Sequence, residues 1–181
     1  MKLVIGVIGP ALPEYQRNKK TSGRIEREAE EIGELLAKRG AIVMTGGMDG
    51  VMESVCKGAR KVGGITIGTP GRARGVSNRF VDIEILTPID VGDFLFTGSW
   101  TCGSIIAFPG GAGTMAELCL AYRLGKPIII MKGMDPFYDS LVGKYFDNGK
   151  VVRFMGAGSP KEAVDKALKA ARQDIKKAGK L

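Results

Sequence analysis

No histidine occurs anywhere in these 181 residues. The absence excludes Ser-His-Asp and Cys-His catalysis, imidazole zinc sites and a histidine pH switch. Acid–base work would fall to Asp, Glu, Lys, Tyr or Cys. Cysteine is scarce as well: Cys56, Cys102 and Cys119 are widely spaced and form no CxxC, so neither a redox pair nor a metal site is expected. Their odd number, and an N-terminus that reads as a buried strand rather than a secretory segment, point to a reducing cytoplasm. No apolar run approaches the roughly 18 residues that cross a membrane, so no membrane partner is expected. Aromatic residues make up 7% and are not interleaved with basic ones as base stacking requires, which argues against nucleic acid.

What is present suffices for a folded domain. An apolar share of 44% can build a core, and a charged share of 25% does not suggest disorder. The length fits one domain over 1–181, with no repeat or linker. The net charge of +8 has two concentrations. Lys166, Lys169, Arg172, Lys176, Lys177 and Lys180 read as a solvated helix face. Arg72, Arg74 and Arg79 lie in a glycine-rich loop, where an anionic ligand is the better reading.

Short Val- and Ile-rich runs alternate with amphipathic stretches. Strands are expected at Leu3–Ile8, Ala41–Thr45, Ile65–Thr69, Phe80–Leu86, Ser104–Phe108, Pro127–Met131 and Val151–Phe154. Helices are expected over Ser22–Arg39, Val51–Lys61, Asp93–Cys102, Thr114–Leu124, part of Pro136–Tyr145, and from Pro160 onward. Ser159, Pro160 and Glu162 supply the start of the last one: a cap, a proline at the first position and an acid at the third. Continuous apolar strands, each leading into a helix, imply an α/β fold: a Rossmann-like, doubly wound and mainly parallel sheet with helices on both faces. Ligands of such sheets bind at the carboxyl ends of the strands, near a switch in strand order.

Two glycine stretches fall at those ends, Thr45-Gly46-Gly47-Met48-Asp49-Gly50 and Pro109-Gly110-Gly111-Ala112-Gly113-Thr114. A sharp strand-to-helix turn leaves unpaired backbone N–H groups at the helix start, and glycine lets a ligand approach closely. The helix dipole favours an anion there, so a phosphate is the natural guest. Gly46, Gly47, Gly50, Gly110, Gly111, Gly113 and Thr114 are the candidate phosphate- or nucleotide-binding residues, with Arg72, Arg74 and Arg79 as further anion contacts. No Walker GxxxxGK[ST] occurs. Gly111–Ala116 matches GxGxxA, but after a late strand rather than in the first βα unit, which disfavours a dinucleotide-dependent dehydrogenase.

Glu117 lies one turn into the helix that follows the second loop and is the candidate catalytic carboxylate. Thr114-x-x-Glu117 is equally a capping box, which would give both residues a purely structural role. Cys56 and Cys119 fall on apolar helix faces, and Cys102 is placed to be exposed near the second loop. Trp100, Phe94 and Phe96 are expected in the core or at a subunit contact, with stacking on a ligand base as the alternative.

Pro109-Gly110-Gly111-Ala112-Gly113-Thr114-Met115-Ala116-Glu117 resembles PGGxGTxxE, the signature of the LOG-type family once labelled lysine decarboxylase-like. Thr45–Glu53 resembles the second signature of that family, GGGxxGLMG. The similarity runs over nearly the whole chain and is greatest to the branch of the molybdenum-cofactor carrier. It implies a Rossmann-like fold, a dimer or tetramer, and no lysine decarboxylation. In the family's hydrolases, which release the base and ribose 5-phosphate from nucleoside 5′-monophosphates, the glycines and the threonine hold the phosphate and the glutamate acts at the ribose. Their arginine, on the helix before the PGG strand, has no counterpart: no Arg or Lys occurs between Arg79 and Arg123. The expected role is therefore binding or carriage of an AMP-like nucleotide or molybdenum cofactor, with phosphoribohydrolase activity as the alternative.

Overall fold

Seven parallel strands form one sheet in the order β4-β3-β2-β1-β5-β6-β7. The structure is a computed structural model and describes residues 1–12, 19–87 and 98–178. Its strands are β1 (Val4–Ile8), β2 (Ile42–Thr45), β3 (Thr66–Gly71), β4 (Ile83–Leu86), β5 (Ser104–Ala107), β6 (Ile128–Met131) and β7 (Met155–Ala157). Its helices are α1 (Lys19–Lys38), α2 (Val51–Lys61), α3 (Ala112–Arg123), α4 (Pro136–Leu141) and α5 (Pro160–Ala178). The expected doubly wound α/β architecture is the observed one.

The central strands are buried on both faces because both faces are covered. Alternate residues of one strand point to opposite sides, so Ile106, Ile129 and Met131 join one core cluster while Ile105, Ile128 and Ile130 join the other. The first cluster meets the apolar stripes of α1, α2 and α5: Ile25, Ala29, Ile32 and Leu36, then Val51, Val55 and Ala59, then Ala163, Val164, Ala167, Leu168 and Ala171. The second meets Leu118, Ala121 and Tyr122 of α3 and Tyr138 of α4. Each fully buried isoleucine contributes about 1.5–3 kcal/mol by leaving water. Gly33 and Gly58 let α1 and α2 cross almost in contact, since a Cβ on either would collide with the backbone of the other helix.

Several boundaries differ from expectation, among them α1, which begins at Lys19 rather than Ser22, and β3, which runs to Gly71 rather than Thr69. The strand expected at Val151–Phe154 is absent; Met155–Ala157 pairs with β6 in its place. Phe154 is fully buried against Tyr122, and its amide bonds to the Lys144 carbonyl instead of to a strand. β4 begins at Ile83, not Phe80, because the Asn78 side chain takes the Phe80 amide (3.0 Å) and holds a turn there. α3 begins at Ala112, two residues earlier than Thr114. The helix expected at Asp93–Cys102 lies partly outside the described residues; 98–101 form a helical turn. Phe94, Phe96 and Lys180 also lie outside them.

The chain leaves β1 toward β2, β3 and β4, then returns to β1 from the other side with β5. The reversal puts the switch in strand order between β1 and β5. Gly9 and Pro10 follow the first of these strands, and Phe108, Pro109 and Gly110 the second.

Candidate functional site

Both glycine turns end at this switch, and their atoms are used differently. In the 45–50 turn, Gly47 (φ 80°) and Gly50 (φ 70°) are left-handed, a conformation that side chains oppose. The Gly47 amide donates to Thr45 Oγ1 (3.0 Å), and its carbonyl accepts from the backbone amide (2.7 Å) and side-chain amide (3.1 Å) of Asn78. Asn78 also donates to the Met48 carbonyl (2.8 Å). Asp49 accepts from the Leu12 amide (3.2 Å), and the Val51 amide reaches the Pro10 carbonyl (3.2 Å). A Cβ on Gly50 would lie 2.5 Å from the Pro10 carbonyl oxygen, and one on Gly47 would lie 3.1 Å from the Gly68 Cα. Gly46, Gly47 and Gly50 are all buried.

In the 109–113 turn no residue is left-handed. Gly111 is the N-cap of α3, in extended conformation and without a side-chain cap; the first helical bond runs from the Met115 amide to its carbonyl (3.0 Å). Ala112, Gly113 and Thr114 are thus the first three helical residues, whose N–H groups have no acceptor within the helix. Gly113 is exposed, and a Cβ there would meet nothing within 4 Å. Thr114 is buried, its hydroxyl filling the place a Gly110 side chain would need. The capping-box reading of Thr114 and Glu117 therefore fails, since Thr114 sits inside the helix.

Glu117 follows Gly113 by four residues and shares its face of α3. It lines a narrow cleft at the carboxyl ends of β1 and β2, together with Ile8, Thr45, Gly46, Thr69, Ser99 and Cys102. The cleft volume is about 20 Å³, room for about one water. Among the described residues its walls are apolar or hydroxyl-bearing apart from Glu117.

The three arginines are exposed. Arg72 and Arg74 sit in the β3–β4 loop, which Glu84 fastens by accepting from the amides of Gly75 (2.8 Å) and Ser77 (3.0 Å). The Gly75 amide first, then the Ser77 side chain and amide, with Arg74 a weaker influence, hold the Glu84 carboxyl below its ordinary range. Arg79 stacks over Phe80 (4.9 Å) and lines another cleft, of about 250 Å³, with Glu26, Glu53 and Lys57. It stands apart from the walls of the Glu117 cleft.

Cys102, expected to be exposed, is fully buried, and burial pushes its thiol up to about 12. Burial likewise pushes Cys56 up to about 11. Neither is a nucleophile at neutral pH. Trp100, expected in the core or at a subunit contact, is 68% exposed. Among the described residues no cluster of three Cys, Asp or Glu side chains converges as a metal site, and no helix is long and apolar enough to cross a membrane.

Two polar contributors were missed from sequence. Asn78 clamps the first turn from 31 residues away, and the Tyr138 hydroxyl donates to the Gly110 carbonyl (2.9 Å) from 28 residues away. A single sequence carries no signal for pairs so separated.

A parallel sheet with a switch in strand order and a helix N-terminus at its edge defines a Rossmann-like α/β protein, a fold whose ligands bind at that edge. The chain belongs to the SLOG cluster4 family, whose model matches residues 2–168. Among solved structures, TM1055 superposes with a TM-score of 0.82 at 31% identity, covering 93% of this chain and 99% of its own. The molybdenum cofactor binding protein of Rippkaea orientalis superposes at 0.75 and 29% identity, covering 97% and 98%. The molybdenum cofactor carrier protein of Chlamydomonas reinhardtii superposes at 0.74 and 30% identity, covering 97% and 99%. These neighbours agree with the branch that the glycine signatures indicate.

Proposed function

We propose that this chain binds a phosphorylated, nucleotide-like or pterin-type ligand of the molybdenum-cofactor kind at the carboxyl ends of β1, β2 and β5, and carries it without turnover. Gly113 is the observation that carries this reading. Glycine inside a helix costs about 1 kcal/mol relative to alanine. Here neither a left-handed backbone nor a crowded neighbour asks for it. A bare backbone at the positive end of a helix suits the close approach of an anion. Gly110, Gly111 and Thr114 would complete the cradle, with Gly46, Gly47 and Gly50 forming the wall opposite. Glu117 would meet hydroxyl or ring N–H groups of the ligand, and Arg72 and Arg74 would offset its charge. Arg79 is left out, because it lines a different cleft. Two similar structures, a molybdenum cofactor binding protein and a molybdenum cofactor carrier protein, support the pterin class. On this reading the chain is one cytoplasmic domain that assembles as a dimer or tetramer, which light scattering would read directly.

Titration with isolated molybdenum cofactor and with AMP, followed by thermal unfolding, tests the proposal. A saturable rise in Tm with either ligand is expected; no rise with both overturns it. Incubation with AMP and chromatography for free adenine separates carriage from hydrolysis. Adenine release that disappears in Glu117→Ala would replace carriage with phosphoribohydrolase activity.

A further inference from the structure

We infer that Tyr138 is the positioning residue of the 109–113 turn: its hydroxyl bond to the Gly110 carbonyl sets the peptide plane from which α3 starts, and thereby the ligand cradle. The inference deepens the proposed ligand reading and rests on it for its functional half. A peptide unit is planar, so fixing its C=O direction fixes the opposed N–H direction of the next residue. Tyr138 is the one aromatic of its short helix that is buried, 3% exposed, while its neighbour Phe137 is 56% exposed. It reaches the turn from the helix that follows β6, at 2.9 Å.

The phenol can act as a fixed post because its helix is itself fixed. Asp135 caps α4 by accepting from the amides of Phe137 (2.8 Å) and Tyr138 (3.1 Å), and Pro136 sets the first helical φ. Asp139 accepts from the Gly133 amide through both oxygens (3.0 and 3.1 Å). The Arg24 guanidinium of α1 donates to the carbonyls of Gly133 (2.8 Å) and Lys132 (3.3 Å), with Glu28 holding its Nε (2.7 Å). The turn after β6 is thus held from two sides, and Tyr138 transmits that rigidity to Gly110. The 109–113 turn has no left-handed glycine of its own, so this outside contact helps set its peptide plane.

Tyr138→Phe keeps the ring and removes only the hydroxyl. Tyr122→Phe is the control: it removes another buried phenol's bonds, to Asp147 (2.9 Å) and from the Val151 amide (3.1 Å), outside the turn. Amide hydrogen exchange at Met115, the first amide bonded within α3 (3.0 Å to the Gly111 carbonyl), is expected to accelerate about fivefold in Tyr138→Phe and to stay unchanged in Tyr122→Phe. The AMP dissociation constant is expected to rise about fivefold in the first variant alone. Unchanged exchange at Met115 in Tyr138→Phe, or equal acceleration in both variants, overturns the inference. If wild type binds neither AMP nor molybdenum cofactor, the ligand reading falls, while the exchange comparison still decides whether Tyr138 positions the turn.

Discussion

The turns at 45–50 and 109–113 both carry a buried strand into a helix, and both are rich in glycine. In the first, the glycines serve the fold: two are left-handed, they pass against other backbone, and Asn78 occupies the carbonyls of Gly47 and Met48. In the second, Gly110 makes room for Thr114, and Gly113 answers to no neighbour. A glycine that the fold does not need is a stronger pointer to a ligand than one it does. The difference shifts the centre of the candidate site toward α3 and leaves the 45–50 turn as its wall.

Substitutions can break that contrast. The largest effect is expected at Gly50→Ala, where a left-handed backbone and a 2.5 Å approach to the Pro10 carbonyl coincide. Strain and crowding together should remove about 3 kcal/mol of stability, read as a lower urea midpoint. Asn78→Ala, which removes the side-chain bonds to the carbonyls of Gly47 and Met48 and from the amide of Phe80, should remove about 2 kcal/mol. Guanidinium melts of that variant, with AMP binding measured on its folded fraction, would show whether the wall matters to the ligand beyond stability. Glu117→Gln keeps the shape of the cleft and should weaken binding about fivefold, the worth of one hydrogen bond, as measured by calorimetry.

A smaller effect, away from both turns, calibrates the scale. Glu30 bonds Lys57 (2.8 Å) and Lys61 (2.6 Å), and these bonds hold its carboxyl below the ordinary value of 4.5. A depressed carboxyl contributes stability above its unfolded pKa and loses it as pH falls through the folded one. Because the lysine partners are about half exposed, Glu30→Gln should cost about 0.5 kcal/mol at pH 7. The difference from wild type should vanish in acid melts below the folded pKa.

Much of this fold could be read from the residues. Strands such as Ile128–Met131, all apolar, announce a sheet covered on both faces. The failures have physical causes. Val151–Phe154 has strand-like residues, but Phe154 is drawn into an aromatic cluster with Tyr122 and Phe146. The strand that forms, Met155–Ala157, has no β-branched residue, and Gly156 fits because Lys132 and Val142 occupy the place a Cβ would need. The same capping pattern occurs twice with opposite outcomes. At 159–162 the Ser159 hydroxyl accepts from the Glu162 amide (3.3 Å) and the Glu162 carboxylate from the Gly158 amide (2.8 Å). At 114–117 the helix has already begun. Local spacing cannot tell these apart; the preceding Gly111 N-cap decides.

The contrast between the turns meets its most direct test in Gly113→Ala, measured for both stability and ligand affinity. The account predicts a urea midpoint equal to or above wild type, by up to about 1 kcal/mol from helix propensity. Dissociation constants for AMP and molybdenum cofactor should rise about tenfold or more, a loss of about 1.4 kcal/mol. A variant that binds both ligands as wild type does, or loses stability as Gly50→Ala does, would contradict it.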